Sequence, residues 1–182
     1  MQQPPPKHLT LEDTAALVTG HLELEEALFR LTGVWSTDAD AASGSTGAAL
    51  QSFFAVESAQ HGWRAEQWER RLPRSVRARP DAASKRWAPV LASAVEVADA
   101  EQRLALWSIA LGPALAERYR AHLALCADAA DRGVLRWLSI CVADLQRATL
   151  EALGLLGECL QGDRNAEICS SAAVSLADLI SS

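Results

Sequence analysis

From Thr10 onward the apolar residues return every three or four positions, in four separate runs. In the first run, Ala15, Val18, Leu22 and Phe29 form one line, and Leu17, Leu24, Leu28, Leu31 and Trp35 form the adjoining one. This is the period of an amphipathic helix, and nowhere does the chain show the two-residue alternation of a half-buried strand. The pattern predicts helix A over residues 10–36, opened by "TLED", where Thr10 caps and Asp13 answers it three residues on. Helix B is expected over 46–71 through Leu50, Phe53, Phe54, Trp68 and Leu72, with Pro73 as its stop. Helix C is expected over 99–127 through Leu104, Trp107, Leu111, Leu115 and Tyr119, after a short helix over 89–98. Helix D is expected over 131–160 through Val134, Leu138, Cys141, Leu145, Ala152 and Leu156.

The connections between these runs differ in kind. "STDADAASGSTG" and "ADRG" are short polar turns, whereas "PRSVRARPDAASKRWAP" holds three prolines and little periodicity. Two tight hairpins joined by one long crossover describe an all-α four-helix bundle. At 182 residues the chain is long enough for one core and short for two. The expected organisation is a disordered tail over 1–9, the helical bundle over 10–161, and a C-terminal extension over 162–182 with a short helix in "SSAAVSLADLI".

Composition excludes several classes. Apolar residues make up 49% and charged residues 22%, the balance of a folded chain rather than a disordered one. A net charge of −6 argues against nucleic acid and against anionic membrane surfaces as partners. The opening "MQQPPPKHLT" has no apolar stretch of the kind a signal peptide needs, and a cytoplasmic location is the expectation. The cysteines, Cys126, Cys141, Cys159 and Cys169, lack the CxxC spacing of zinc or redox sites and read as small buried apolar residues.

Polar residues interrupt the apolar stripes in one place above all. Glu25 breaks the Leu22–Phe29 line, and Glu57 with His61 breaks the Phe54–Trp68 line. If helices A and B form an antiparallel hairpin centred near residue 41, Glu25 faces Glu57 and His21 faces His61. Each histidine then lies one turn from a carboxylate on a shared face. Histidine beside carboxylate suits general acid–base work near neutral pH. Other readings of the same residues stay open. Glu25 can turn to solvent with Glu23 and Glu26, each pair can be an ordinary surface pair, and the hairpin centre can shift by several residues.

Helix order, the long B–C connection and the inward Glu and Glu/His residues resemble the ferritin-like superfamily. "HLELEEALFRLTGVW" and "ESAQHGWRAEQWERRLP" are similar in particular to small ferritin-like proteins of the actinobacterial type. The resemblance implies a di-iron or di-manganese centre held by a glutamate on each of two helices and Glu-x-x-His on the other two. This chain departs from that pattern. Gln60 stands where helix B needs its histidine, and helix D has no histidine beside Asp144, Glu151 and Glu158. On helix C, Glu117 lies off the apolar stripe, and His122 lies near the C–D turn. No metal ligand is assigned on this ground; iron or manganese on an irregular ligand set is the alternative.

Between Arg64 and Arg86 stand eight basic residues against Glu66, Glu69 and Asp81, a local charge of +5. The stretch reads either as a solvated loop or as a rim attracting an anionic or carrier-bound substrate. Trp63 and Trp68, five residues apart, cannot share one face, so one of them is expected at a pocket or an interface. Pro113 falls inside helix C and is expected to kink it. The resulting expectation is a small-molecule enzyme or enzyme-like binder in specialised metabolism. Its catalytic residues would be Glu25, Glu57, His61 and His21, and Trp68, Arg64, Tyr119 and Asp144 would contact the substrate. The alternatives are an irregular di-metal oxidase or oxygenase, and a non-catalytic helical homodimer or accessory subunit.

Overall fold

A computed structural model describes residues 9–38, 44–73, 82–97, 99–127 and 131–159. Among these residues the chain is helical, with no strand. The expected tail and the expected C-terminal helix lie outside the described residues, as does Cys169.

Helix α1 runs Leu11–Thr37. Its start follows from the capping box: Asp13 N–H donates to Thr10 Oγ1 at 3.1 Å, and Thr10 N–H donates to the Asp13 carboxylate at 3.2 Å. Helix α2 spans Gly44–Glu69 and lies antiparallel to α1, as the side-chain contacts show. Ser58 Oγ donates to the Phe29 carbonyl at 3.0 Å, and a Cβ on Gly62 would lie 3.2 Å from the Phe29 ring. A side chain at position 62 would therefore press on that ring, and glycine leaves the contact unstrained. Phe29 was expected in the core; it covers the back of α2 instead and is 47% exposed.

Helix α3 occupies Ala82–Val95, longer and earlier than the segment the sequence suggests. Pro89 lies inside it on an exposed position, so a residue that reads as a breaker is tolerated where its ring meets solvent. Helix α4 (Ala100–Ala105) starts at Asp99, whose carboxylate accepts from Gln102 N–H at 2.9 Å. It continues through a π-helical stretch, Leu106–Leu111, into α5 at Gly112–Leu123. The Gly112 N–H reaches the carbonyl of Trp107, five residues back. Pro113 follows directly and has no N–H to give to Ile109, so the expected kink takes the form of a widened turn. Helix α6 runs Arg132–Cys159 and packs mainly against α5. The turn between them is tied by Ala127 N–H donating to Asp131 at 2.8 Å.

One apolar core joins these helices. Leu28, Trp35, Phe54 and Trp68 come from the first pair, Leu104, Trp107, Leu115 and Tyr119 from the third stretch, and Leu138, Cys141 and Leu145 from α6. No helix is long and apolar enough to cross a membrane among the described residues. Within this core, Glu25, His61, Arg64 and His21 are buried beside the tryptophans.

Candidate functional site

Helix α2 carries Glu57, His61, Arg64 and Trp68 at steps of four, three and four residues, which places all four on one face. All are buried, and His61 and Trp68 are fully so. Across from them α1 supplies His21 and Glu25, and α5 supplies Tyr119 and His122.

Glu25 is the centre. Its Oε2 accepts from His61 Nδ1 at 2.5 Å, and its Oε1 accepts from Arg64 Nε at 3.1 Å and from the Tyr119 hydroxyl. Trp68 Nε1 in turn donates to the Tyr119 oxygen at 3.0 Å. Burial by itself raises the carboxyl pKa of Glu25. The Arg64 charge, then His61 and the hydrogen bonds from His61 and Tyr119, outweigh it and hold Glu25 below its ordinary range. Burial and the Glu25 charge push the Tyr119 hydroxyl well up, so it stays a donor. Arg64, which burial would weaken, is held charged by Glu25.

The tautomer of His61 follows from its partner. An ionised Glu25 only accepts, so Nδ1 carries the hydrogen. The Arg64 Nη2 atom, 3.0 Å from that same nitrogen, is then a neighbouring charge rather than a second donor. Burial lowers the imidazole pKa despite the pull of Glu25, with Arg64 adding to the fall, so His61 is neutral. Its Nε2 therefore holds a lone pair, and that atom is buried with no hydrogen-bond partner. Trp107, on the π-helical stretch, packs edge-on against the ring at 5.2 Å between centroids.

Glu57 lies one turn before His61 and is 3% exposed. Its Oε2 likewise has no hydrogen-bond partner. Burial raises its pKa to about 7, against the pull of Arg64 and Arg147, and the charges of Glu25 and Glu151 add to the rise.

His21 does not face His61. Its Nε2 meets His122 Nδ1 at 3.0 Å, and its ring stacks on Trp68 at 4.7 Å. Burial, then Arg118, lowers both imidazoles, His122 to about 4, so the pair is uncharged near neutral pH. The difference from expectation has a geometric cause. The contacts of Glu25 with His61, Phe29 with Ser58 and Gly62, and Gly33 with Ser58 centre the hairpin near Gly44. That slides α2 by between one and two turns relative to a hairpin centred near residue 41, and brings His61 level with Glu25.

Arg64 also differs from its expected place. It is not part of a surface rim but lies 1% exposed in the core. The remaining basic stretch is only partly described. Arg70 pairs with Glu66 at 2.5 Å and Arg71 lies over the Trp137 ring at 4.9 Å, while Arg74, Arg77 and Arg79 fall outside the described residues. Asp144 is half-buried on α6 and takes no part in the bonds to Glu25. Sequence reasoning placed Arg64 both among the substrate contacts and in the basic stretch, and the four–three–four spacing is the signal that favours the buried face; what it missed is the ion pair of Arg64 with Glu25.

The residues do not fit the dinuclear metal centre that the resemblance implies. Both oxygens of Glu25 and Nδ1 of His61 are engaged, and a guanidinium already supplies the positive charge at that position. Helix α6 presents Cys141, Leu145 and Ala148 inward, with no carboxylate or imidazole. No group of three or more His, Cys, Asp or Glu side chains placed to hold a metal occurs among the described residues. No family model, curated protein or solved structure matches this chain.

Proposed function

We propose that the chain is a ferritin-like bundle whose interior serves a small molecule, as an acid–base enzyme or an enzyme-like binder, without a standard metal centre. Support for the architecture comes from the antiparallel α1–α2 pair, from α3 within the long connection, and from the pairing of α5 with α6. The observation that carries the function is on α2. His61 Nε2 and Glu57 Oε2, one turn apart, are both buried and both without a partner, although both oxygens of Glu25, Arg64 Nε and the Tyr119 hydroxyl are engaged. Leaving a buried polar atom unpaired costs about 1–3 kcal/mol, a cost that a ligand hydroxyl, amide or carboxyl group bonded to either atom would relieve.

The roles follow from the geometry. Glu25 fixes the imidazole so that Nε2 is the basic atom, Arg64 and Tyr119 keep Glu25 ionised and oriented, and Glu57 exchanges a proton near neutral pH. Entry requires the helices to part near Trp107. The π-helical stretch that carries it is of a kind found frequently at functional sites.

A second reading is favoured by one observation: Glu25, His61 and Tyr119 are each 0% exposed, the mark of a core network in a non-catalytic helical subunit or dimer. One experiment separates the two. Wild-type and His61→Gln proteins are screened by thermal shift against small hydroxy acids, amides and carboxylates. A compound that raises the wild-type melting temperature and leaves the folded variant unmoved supports the site. With such a compound as substrate, turnover should fall about 10²-fold in the variant. Equal responses from both proteins across the panel would leave the core-network reading.

A further inference from the structure

At the far end of α1, a second set of buried donors is incompletely met, independently of the Glu25 site. Arg103 is 3% exposed and joins three segments. Its Nε donates to the Val97 carbonyl at 2.6 Å, and its Nη2 donates to the Asp38 carboxylate, also at 2.6 Å. Its Nη1 is buried without a partner, and so is the indole Nε1 of Trp35, itself 2% exposed. Trp35, Asp38, Gln51 and Arg103 line one small cavity of about 10 Å³, walled on its other sides by Leu50 and Phe54.

We propose that this cavity is the site of one tightly held water molecule, bridging Trp35 and Arg103. Its size matches the roughly 10–15 Å³ that a single water needs, and a buried water is kept by about three polar partners. Trp35 and Arg103 donate to its oxygen. Asp38 lines the same space, and an ionised carboxylate offers about four acceptor sites, enough to take the water in addition to its protein partners. The charge balance selects a neutral acceptor over an anion. Arg103 is already met by Asp38, and a halide would stand beside that carboxylate with no second cation lining the cavity among the described residues. The water thereby ties the end of α1 to α4 and joins Trp35 to the Arg103–Asp38 pair through a polar contact.

Proton NMR tests this on the whole chain, with Trp35→Phe used to assign the Trp35 indole proton. The expected result is a cross-peak between that proton and a long-lived water, with an indole shift that stays the same when chloride is exchanged for gluconate. A saturable shift on adding chloride would make it an anion site and overturn the proposal. Absence of any water cross-peak would overturn it as well, since the cavity would then be dry. If Trp35→Phe does not fold, the Nη1 protons of Arg103 in the wild-type protein give the same two answers.

Discussion

Glu25 and Glu57 are two glutamates at nearly equal depth, on facing helices, and the protein treats them in opposite ways. Glu25 is met by a guanidinium, an imidazole and a phenol, and its pKa falls below the ordinary range. Glu57 has the same Arg64 nearby but keeps one oxygen unpartnered, and its pKa rises to about 7. Depth therefore does not decide the ionisation of a buried carboxyl; the number of donors aimed at it does. The consequences for stability have opposite signs. A depressed pKa stabilises the fold above the unfolded value and is lost as pH falls through the folded one. A raised pKa in an acid stabilises the protonated fold, and that contribution fades as pH rises from the unfolded value toward about 7.

The comparison is broken most directly at Glu25. Glu25→Gln leaves Arg64 charged in the core, and the expected loss is about 3–5 kcal/mol, measured by urea unfolding at pH 7. A loss under about 1 kcal/mol would mean that the cluster is solvated and the contrast unreal. Next in size is Glu57→Gln. In the wild-type protein the step from the ordinary carboxyl pKa of 4.5 to about 7 corresponds to roughly 3 kcal/mol of stability lost as pH climbs across that interval. The variant should lack this slope between about pH 4.5 and 7 and be the more stable protein at pH 8. Identical pH profiles for the two would show that Glu57 is hydrated.

His61→Gln keeps a donor near Glu25 while removing the ring that packs on Trp107, and about 1–3 kcal/mol is expected from thermal melts. If instead that variant is as stable as wild type, the unpaired Nε2 was costing as much as the Nδ1 bond contributed. The smallest effect should come from Trp68→Phe in the hydrogen-bonding sense. Losing the bond to Tyr119 costs about 0.5–1.5 kcal/mol beyond any change in packing, resolved by a double-mutant cycle with Tyr119→Phe. A coupling of zero in that cycle would detach Trp68 from the Glu25 network.

Most of the helices were legible because their cause is local. The stripe Leu138, Cys141, Leu145, Ala152 and Leu156 is buried as the period predicts, and the Thr10 cap begins α1 as the "TLED" motif says. That Glu25 and Glu57 point inward was also readable, since each interrupts an apolar line and neither is near a helix end. What the sequence could not carry was register. Whether His61 meets His21 or Glu25 depends on where a polar turn places its bend, and a shift of one turn exchanges every partner across the pair. The reading of Arg64 as part of the basic stretch failed for a related reason. Counting charges along the chain groups it with Arg70 and Arg71, whereas the helix groups it with His61.

The widened turn at Leu106–Leu111 is also a matter of angular phase. Trp107, Leu111, Leu115 and Tyr119 follow one another at intervals of four, and each such step in a regular α-helix overshoots a full circle by about 40°. Over three steps the side chain of Tyr119 would swing roughly 120° away from that of Trp107, toward solvent. A π turn absorbs more residues per revolution, so the drift is taken up between Trp107 and Gly112 and both rings remain inward. One surplus residue in the chain is thus what brings the tyrosine hydroxyl to Glu25. The site can in this sense be gained or lost by a single-residue insertion or deletion: shortening this stretch by one residue would turn α5 like a key, withdrawing Tyr119 and His122 together while leaving every other side chain of the cluster unchanged in identity.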